Sequence, residues 1–184
     1  DQGAQQERQF SDLDTVPWAV ESIEALCDRG AIQGFEDGSF RPEKIVTREE
    51  FVKMLTVYLN LDTDGVQCSF TDVPQDSWSY RYIAAAQQMG IVSGVSPDRF
   101  GAQEPITRQD VAVILSRAAK ELPQKREFDG FTDVNQIADY ALESVLRLYE
   151  AGLIDGVGDG SFHPEEYTTR AQAAKLIYGI GVNK

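Results

Sequence analysis

Read for apolar and polar positions, the chain alternates two kinds of short amphipathic stretch. The first carries Trp18, Ile23 and Leu26 at helical spacing and halts at Gly30. It returns as Trp78, Ile83 and Ala86 before Gly90, and as Tyr140, Val145 and Leu148 before Gly152. A glycine just past such a stretch suits the left-handed turn that ends a helix, so the pattern predicts helices opening near Pro17, Ser77 and Asp139. The second kind runs through Phe51, Met54 and Leu55, then Val111, Ile114 and Leu115, then Ala173, Leu176 and Ile177. Each begins at a capping threonine, Thr47, Thr107 or Thr169, and the residue three further on is placed to reach back to the cap. That capping box is near ideal with Glu50 and weaker with Asp110 or Gln172.

The two stretches and the glycine-rich loop between them form a unit that recurs. Phe10-Ser11-Asp12-Leu13 returns as Phe70-Thr71-Asp72-Val73 and as Phe131-Thr132-Asp133-Val134. Gly30, Gly34, Phe40, Thr47 and Arg48 match Gly90, Gly94, Phe100, Thr107 and Arg108, and then Gly152, Gly156, Phe162, Thr169 and Arg170. The units span 10–59, 70–120 and 131–181, and the polar linkers 60–69 and 121–130 read as surface crossings. Two short helices bury too little apolar surface to fold alone. The three copies are therefore expected to share one core, as an all-α fold with pseudo-threefold packing that behaves as one cooperative unit.

Composition narrows the function classes. The chain has 184 residues, 42 % of them hydrophobic, which is ordinary for a folded protein. Its formal charge of −13 repels phosphate backbones and anionic lipid, which excludes nucleic acid as a partner and fits an exported protein. No apolar run approaches the ~20 residues a membrane span needs, and the polar residues 1–9 do not read as a signal peptide. A chain opening on Asp1 is read as a mature or excised fragment, expected to be monomeric. Cys27 and Cys68 lack metal-ligand spacing, and whether they are bridged stays open. With one histidine, His163, and no nucleophile elbow, the chain lacks the parts of an enzyme and implies no cofactor.

Three sets of recurring residues are candidates for binding. Arg48, Arg108 and Arg170 fall at the first helical position, where a cation opposes the helix dipole. Beside free N–H groups of a helix start, such an arginine makes a receptor for a carboxylate or phosphate. The plainer reading is that each pairs with a nearby acid and pins one repeat to the next. Trp18, Trp78 and Tyr140 read as core anchors, or as platforms for the apolar face of a sugar. Asp12, Asp72 and Asp133 read first as turn formers bonded to their own backbone, and second as acceptors of sugar hydroxyls. In the third loop, Asp155, Asp159, Gly160 and Glu166 match positions of a calcium-binding EF-hand, but Val157, Pro164 and, in the first copy, Lys44 break the ligand set. A plain Asp-Gly turn is the simpler account, and no metal site is assigned.

Together, the Phe-x-Asp start, the Trp-bearing helix, the Gly-x-x-Gly loop ending in Phe40-Arg41-Pro42 and the Thr-Arg-Glu-Glu helix opening resemble the S-layer homology family across nearly all of residues 10–180. The resemblance implies a three-pronged spindle with a central three-helix bundle and grooves between the prongs. It also implies an extracellular location at the bacterial cell wall or S-layer, as part of a larger exported protein. The partner it implies is a secondary cell-wall polysaccharide, commonly pyruvylated, held by the arginines, aspartates and aromatics above and by Gly34, Gly94 and Gly156. A pyruvate ketal is a carboxylate on a sugar, which an arginine beside an aromatic ring suits. The second copy lacks the Asp-Gly turn, and the third has Gln172 for the acid and Tyr140 for tryptophan, so the grooves are expected to be unequal. The alternative is a protein-binding or self-assembling module of a surface layer, resting on exposed apolar patches.

Overall fold

Three helices open where a capping threonine precedes an arginine: α2 (Arg48–Tyr58), α4 (Arg108–Ala118) and α6 (Arg170–Val182). The three that alternate with them are α1 (Val20–Asp28), α3 (Tyr80–Gln88) and α5 (Asp139–Glu150). The computed structural model describes residues 10–182, so the expectation for residues 1–9 lies outside the described residues. Among the described residues there is no β-strand, only isolated bridges, and the fold is all-α. Among the described residues no helix is long and apolar enough to cross a membrane.

Two helix starts differ from the expectation. α1 follows a 3-10 turn at Pro17–Ala19, and α3 follows tight turns in which Ser77 N–H donates to Pro74 and Tyr80 N–H to Ser77. Proline fixes φ for such a turn without requiring an α-helical bond, so the regular helix begins about one turn later. α5 opens at Asp139 as expected. Past the ends of α1, α3 and α5, Gly30, Gly90 and Gly152 take φ of 69°, 70° and 72°, the left-handed turn that glycine adopts without a Cβ clash.

The caps also depart from expectation at one place. Glu50 accepts from Thr47 N–H at 2.9 Å, and Gln172 accepts from Thr169 N–H at 3.1 Å, so the glutamine forms the complete reciprocal box that was read as weak. Asp110 donates only its backbone N–H to Thr107, because its side chain is one methylene shorter and turns elsewhere.

The repeats close on one another in a cycle. α3 packs on α2, α5 on α4, and α1 on α6, which joins the first repeat to the last; α6 also packs against α2 and α4. Ahead of the second helices, Val46 N–H donates to Thr168 at 3.0 Å, Thr168 to Ile106 at 3.0 Å, and Ile106 to Val46 at 3.1 Å. This ring of three bonds ties one segment from every repeat. Phe40, Phe100 and Phe162 are fully buried around it, each against the Phe of its own Phe-x-Asp motif at 5.4–5.5 Å between ring centroids. Cys27 lies in this core and Cys68 in the linker, with no disulfide joining them.

Candidate functional site

The sequence suggested that each Phe-x-Asp carboxylate bonds its own turn; Asp72 has a bond to its own backbone, but the main partners of all three lie across the repeat. Asp12 accepts from the N–H groups of Phe40 and Arg41, both at 2.8 Å. Asp72 does the same to Phe100 and Gly101, and Asp133 to Phe162 and His163. Each carboxylate reaches across its repeat and fixes the loop by both oxygens. Arg41, Gly101 and His163 all take positive φ, at 57°, 74° and 56°, which turns their N–H toward the acid. Burial pushes the Asp72 carboxyl up, yet its backbone donors hold it below the ordinary carboxylate pKa.

The fixed loop presents its phenylalanine carbonyl to the preceding repeat. Arg48 Nε donates to Phe100 at 2.9 Å, Arg108 Nε to Phe162 at 2.8 Å, and Arg170 Nε to Phe40 at 2.9 Å. Each guanidinium also lies over the ring of that phenylalanine, 4.4–5.0 Å from its centroid. The arginines thus pin one repeat to the next, but through a carbonyl and a ring rather than the Phe-x-Asp acid.

Among the described residues, the first three N–H groups of each of the helices they open are already taken. Arg48 and Glu49 donate to Glu104 and Ala102, Arg108 and Gln109 to Glu166 and Pro164, and Arg170 and Ala171 to Lys44 and Pro42. Thr47, Thr107 and Thr169 take the next free N–H in each helix. Any anion receptor here must therefore rest on side chains.

Two grooves follow from this geometry, around Arg108 and Arg48, each combining an arginine, the loop and second helix of the next repeat and the aromatic of the one after. Around Arg108 the lining includes Trp18, Val111, Gln172, Lys175 and Leu176. Lys175 Nζ donates to the Trp18 carbonyl at 3.2 Å, and among the described residues the hydrogen bonds of the Arg108 side chain go to carbonyls, Phe162 and, at 3.5 Å, Asp155, with Glu166 and Asp133 acting on its charge. The Asp155 carboxylate pairs with Arg126 at 2.7 Å. Around Arg170 the second contact is the Gln33 carbonyl at 2.7 Å, with the Phe35 ring alongside. Burial holds the Arg108 and Arg170 guanidinium groups below the usual arginine pKa, the mark of a desolvated charge.

Around Arg48 the arrangement differs. Arg48 Nη1 meets Asp110 at 2.7 Å, and Tyr140 donates its hydroxyl to the other oxygen of Asp110 at 2.7 Å. Burial first, and the bond to Asp110 second, push the Tyr140 phenol up to about 12.

The aromatics are not core anchors: Trp18, Trp78 and Tyr140 are 48 %, 54 % and 63 % exposed. A residue just before or at the start of a helix sits at its mouth, where one face of the ring stays in water. Trp78 lines a separate cleft with Pro74, Arg99 and Glu104. Gly34, Gly94 and Gly156 pack on the rings of Phe10, Phe70 and Phe131, where a Cβ on Gly34 or Gly94 would overlap the ring. Of the three, Gly94 also lines the Arg48 groove. In the third loop Asp159 accepts from the Ser161 backbone at 2.9 Å, closing the Asp-Gly turn on itself. Sequence reasoning missed Lys175 and the distinct role of Asp110. The signal for Asp110 was its length beside Glu50 and Gln172 at the same register.

A family model for the S-layer homology domain matches residues 9–52, 69–112 and 130–174. The chain is 33 % identical over 89 % of its length to an amylopullulanase of Thermoanaerobacterium thermosulfurigenes, of which it covers 9 %. It is 34 % identical over 91 % of its length to an endoglucanase of Bacillus sp. (strain KSM-635), covering 18 % of that protein. It is 33 % identical over 92 % of its length to the S-layer protein EA1 of Bacillus anthracis, covering 20 % of it. The chain thus spans a fifth or less of these relatives. One unit shared by two different enzymes and a surface-layer protein is not the seat of either catalytic activity, so it is a non-catalytic module. Three matched repeats, in the cyclic arrangement described, make this chain a member of the S-layer homology domain family.

Proposed function

We propose that this chain anchors a larger exported protein to the bacterial cell surface by binding an acidic, pyruvate-bearing wall polysaccharide in the grooves between its repeats. The observation that carries the reading is the Arg108 groove. A guanidinium whose hydrogen bonds among the described residues all go to carbonyls, and which makes no ion pair to the acids that act on its charge, Glu166 and Asp133, lies there with Lys175 and the half-exposed Trp18. A desolvated cation without an ion-pair partner favours an anionic ligand, because the low local dielectric strengthens the pair. A pyruvate ketal supplies that carboxylate and its sugar ring supplies an apolar face for the indole. Arg170 likewise makes no ion pair among the described residues, and has Phe35 beside it.

Co-sedimentation with purified wall sacculi tests the reading. The chain is expected to pellet with sacculi that carry pyruvylated polymer and to stay in the supernatant once the ketals are removed by mild acid. Pelleting that is indifferent to the ketal contradicts the carboxylate as the recognised group.

A further inference from the structure

We propose that the Arg48 groove is already occupied by a ligand of the chain's own, the carboxylate of Asp110, and that Asp110 sets how many grooves accept an acidic glycan. The inference rests on the anchoring function above for its glycan arm and on the geometry alone for its second arm.

The residue at this register faces a choice between two partners. In α2 and α6, Glu50 and Gln172 fold back and accept from the N–H of the capping threonine. In α4, Asp110 is too short to complete that box and points across the groove instead. There one oxygen takes Arg48 Nη1 and the other takes the Tyr140 hydroxyl, each at 2.7 Å. Arg48, Asp110 and Tyr140 line one cleft with Gly94 and Arg117. The ion pair is well shielded, its two side chains being 7 % and 23 % exposed. By contrast, neither Arg108 nor Arg170 makes an ion pair among the described residues. The internal carboxylate thus holds the position that a ligand carboxylate would need, at an effective concentration no free ligand matches, and a second anion finds the Arg48 charge already neutralised, with Arg117 bonded to Ser93.

Asp110→Gln is the decisive variant, because repeat three shows that glutamine at this register completes the threonine box beside its groove. Wild type, Asp110→Gln and Arg48→Ala/Asp110→Gln are titrated by calorimetry with a fragment of the pyruvylated polymer too short to bridge two grooves. Asp110→Gln is expected to bind one more fragment per chain than wild type, and the added Arg48→Ala change to abolish that extra site. Equal stoichiometry in wild type and Asp110→Gln would overturn the inference.

Nitrogen-15 spectra of the arginine side chains provide the second arm, without glycan. Rotation of the Arg48 guanidinium is expected to be slow in wild type and fast in Asp110→Gln; slow rotation in both would overturn the inference even if no polymer binds. Absence of polymer binding in every protein would count against the anchoring function and leave these spectra to decide the role of Asp110.

Discussion

Asp133 is 7 % exposed, yet it carries a carboxylate that accepts from two backbone N–H groups, Phe162 and His163. Asp133→Ala leaves both donors without a partner, and buried orphan donors cost about 1–3 kcal/mol each. The variant is expected to lose about 2–4 kcal/mol, read as a lowered urea midpoint with an unchanged slope. The equivalent acid Asp72 carries a pH signature. Its folded pKa is depressed, so its contribution is fully present above the unfolded value of about 3.9 and is lost as pH falls through the lower folded value. Wild type should therefore exceed Asp72→Asn in urea stability by a constant margin at pH 5 to 7, and the margin should shrink below about pH 4. These acids stood out in the sequence by recurrence, but their partners did not. A carboxylate that bonds Phe40 from position 12 depends on a loop folding back, which local turn preference does not encode. The same limit hid the exposure of Trp18, since helical spacing puts a groove-facing ring and a core ring in the same register.

At the level of the helix, the capping threonines differ in what they hold. Thr47 and Thr169 form reciprocal boxes, whereas Thr107 forms only its own half. Thr47→Ala removes a side-chain acceptor at a helix start and is expected to cost about 1 kcal/mol. Thr107→Ala should cost less than Thr47→Ala, because Glu50 also loses its register while Asp110 is held by Arg48 and Tyr140 in either case. Thermal melts of the two variants side by side check the order. The second helices were legible to the residue, at Arg48, Arg108 and Arg170, because threonine caps are strong local signals. The first helices were less so. A proline before α1 and before α3 permits either a helix start or a tight turn, and the tertiary contacts of Trp18 and Trp78 with their clefts go with the turn.

For the whole molecule, the cycle is the organising fact. Each repeat supplies a loop carbonyl to the arginine of the one before, and α1 completes the set by packing on α6. Removing residues 131–184 would strip α1 of its partner, leave Arg108 without the Phe162 carbonyl and break the ring through Thr168. The remaining two repeats are expected to unfold rather than persist as a smaller array, and the intact chain to melt in one transition with equal calorimetric and van't Hoff enthalpies. Stable, helical residues 10–120 in circular dichroism would contradict this. Equal copies made threefold sharing of a core readable from the sequence, and the departures of the second and third copies made unequal grooves an expectation, but the cause of the inequality, one methylene between Asp110 and Gln172, was not readable. That inequality bears directly on the central claim, recognition of an acidic glycan by an arginine that makes no ion pair among the described residues. The most direct measurement is a calorimetric titration of the chain and of Arg108→Ala with pyruvylated wall polysaccharide and with the same polymer stripped of pyruvate. Saturable binding that vanishes without pyruvate, and that weakens tenfold or more in Arg108→Ala, about 1.4 kcal/mol or more, is the predicted result. Equal binding of the two polymers, or full affinity in a folded Arg108→Ala, would contradict it.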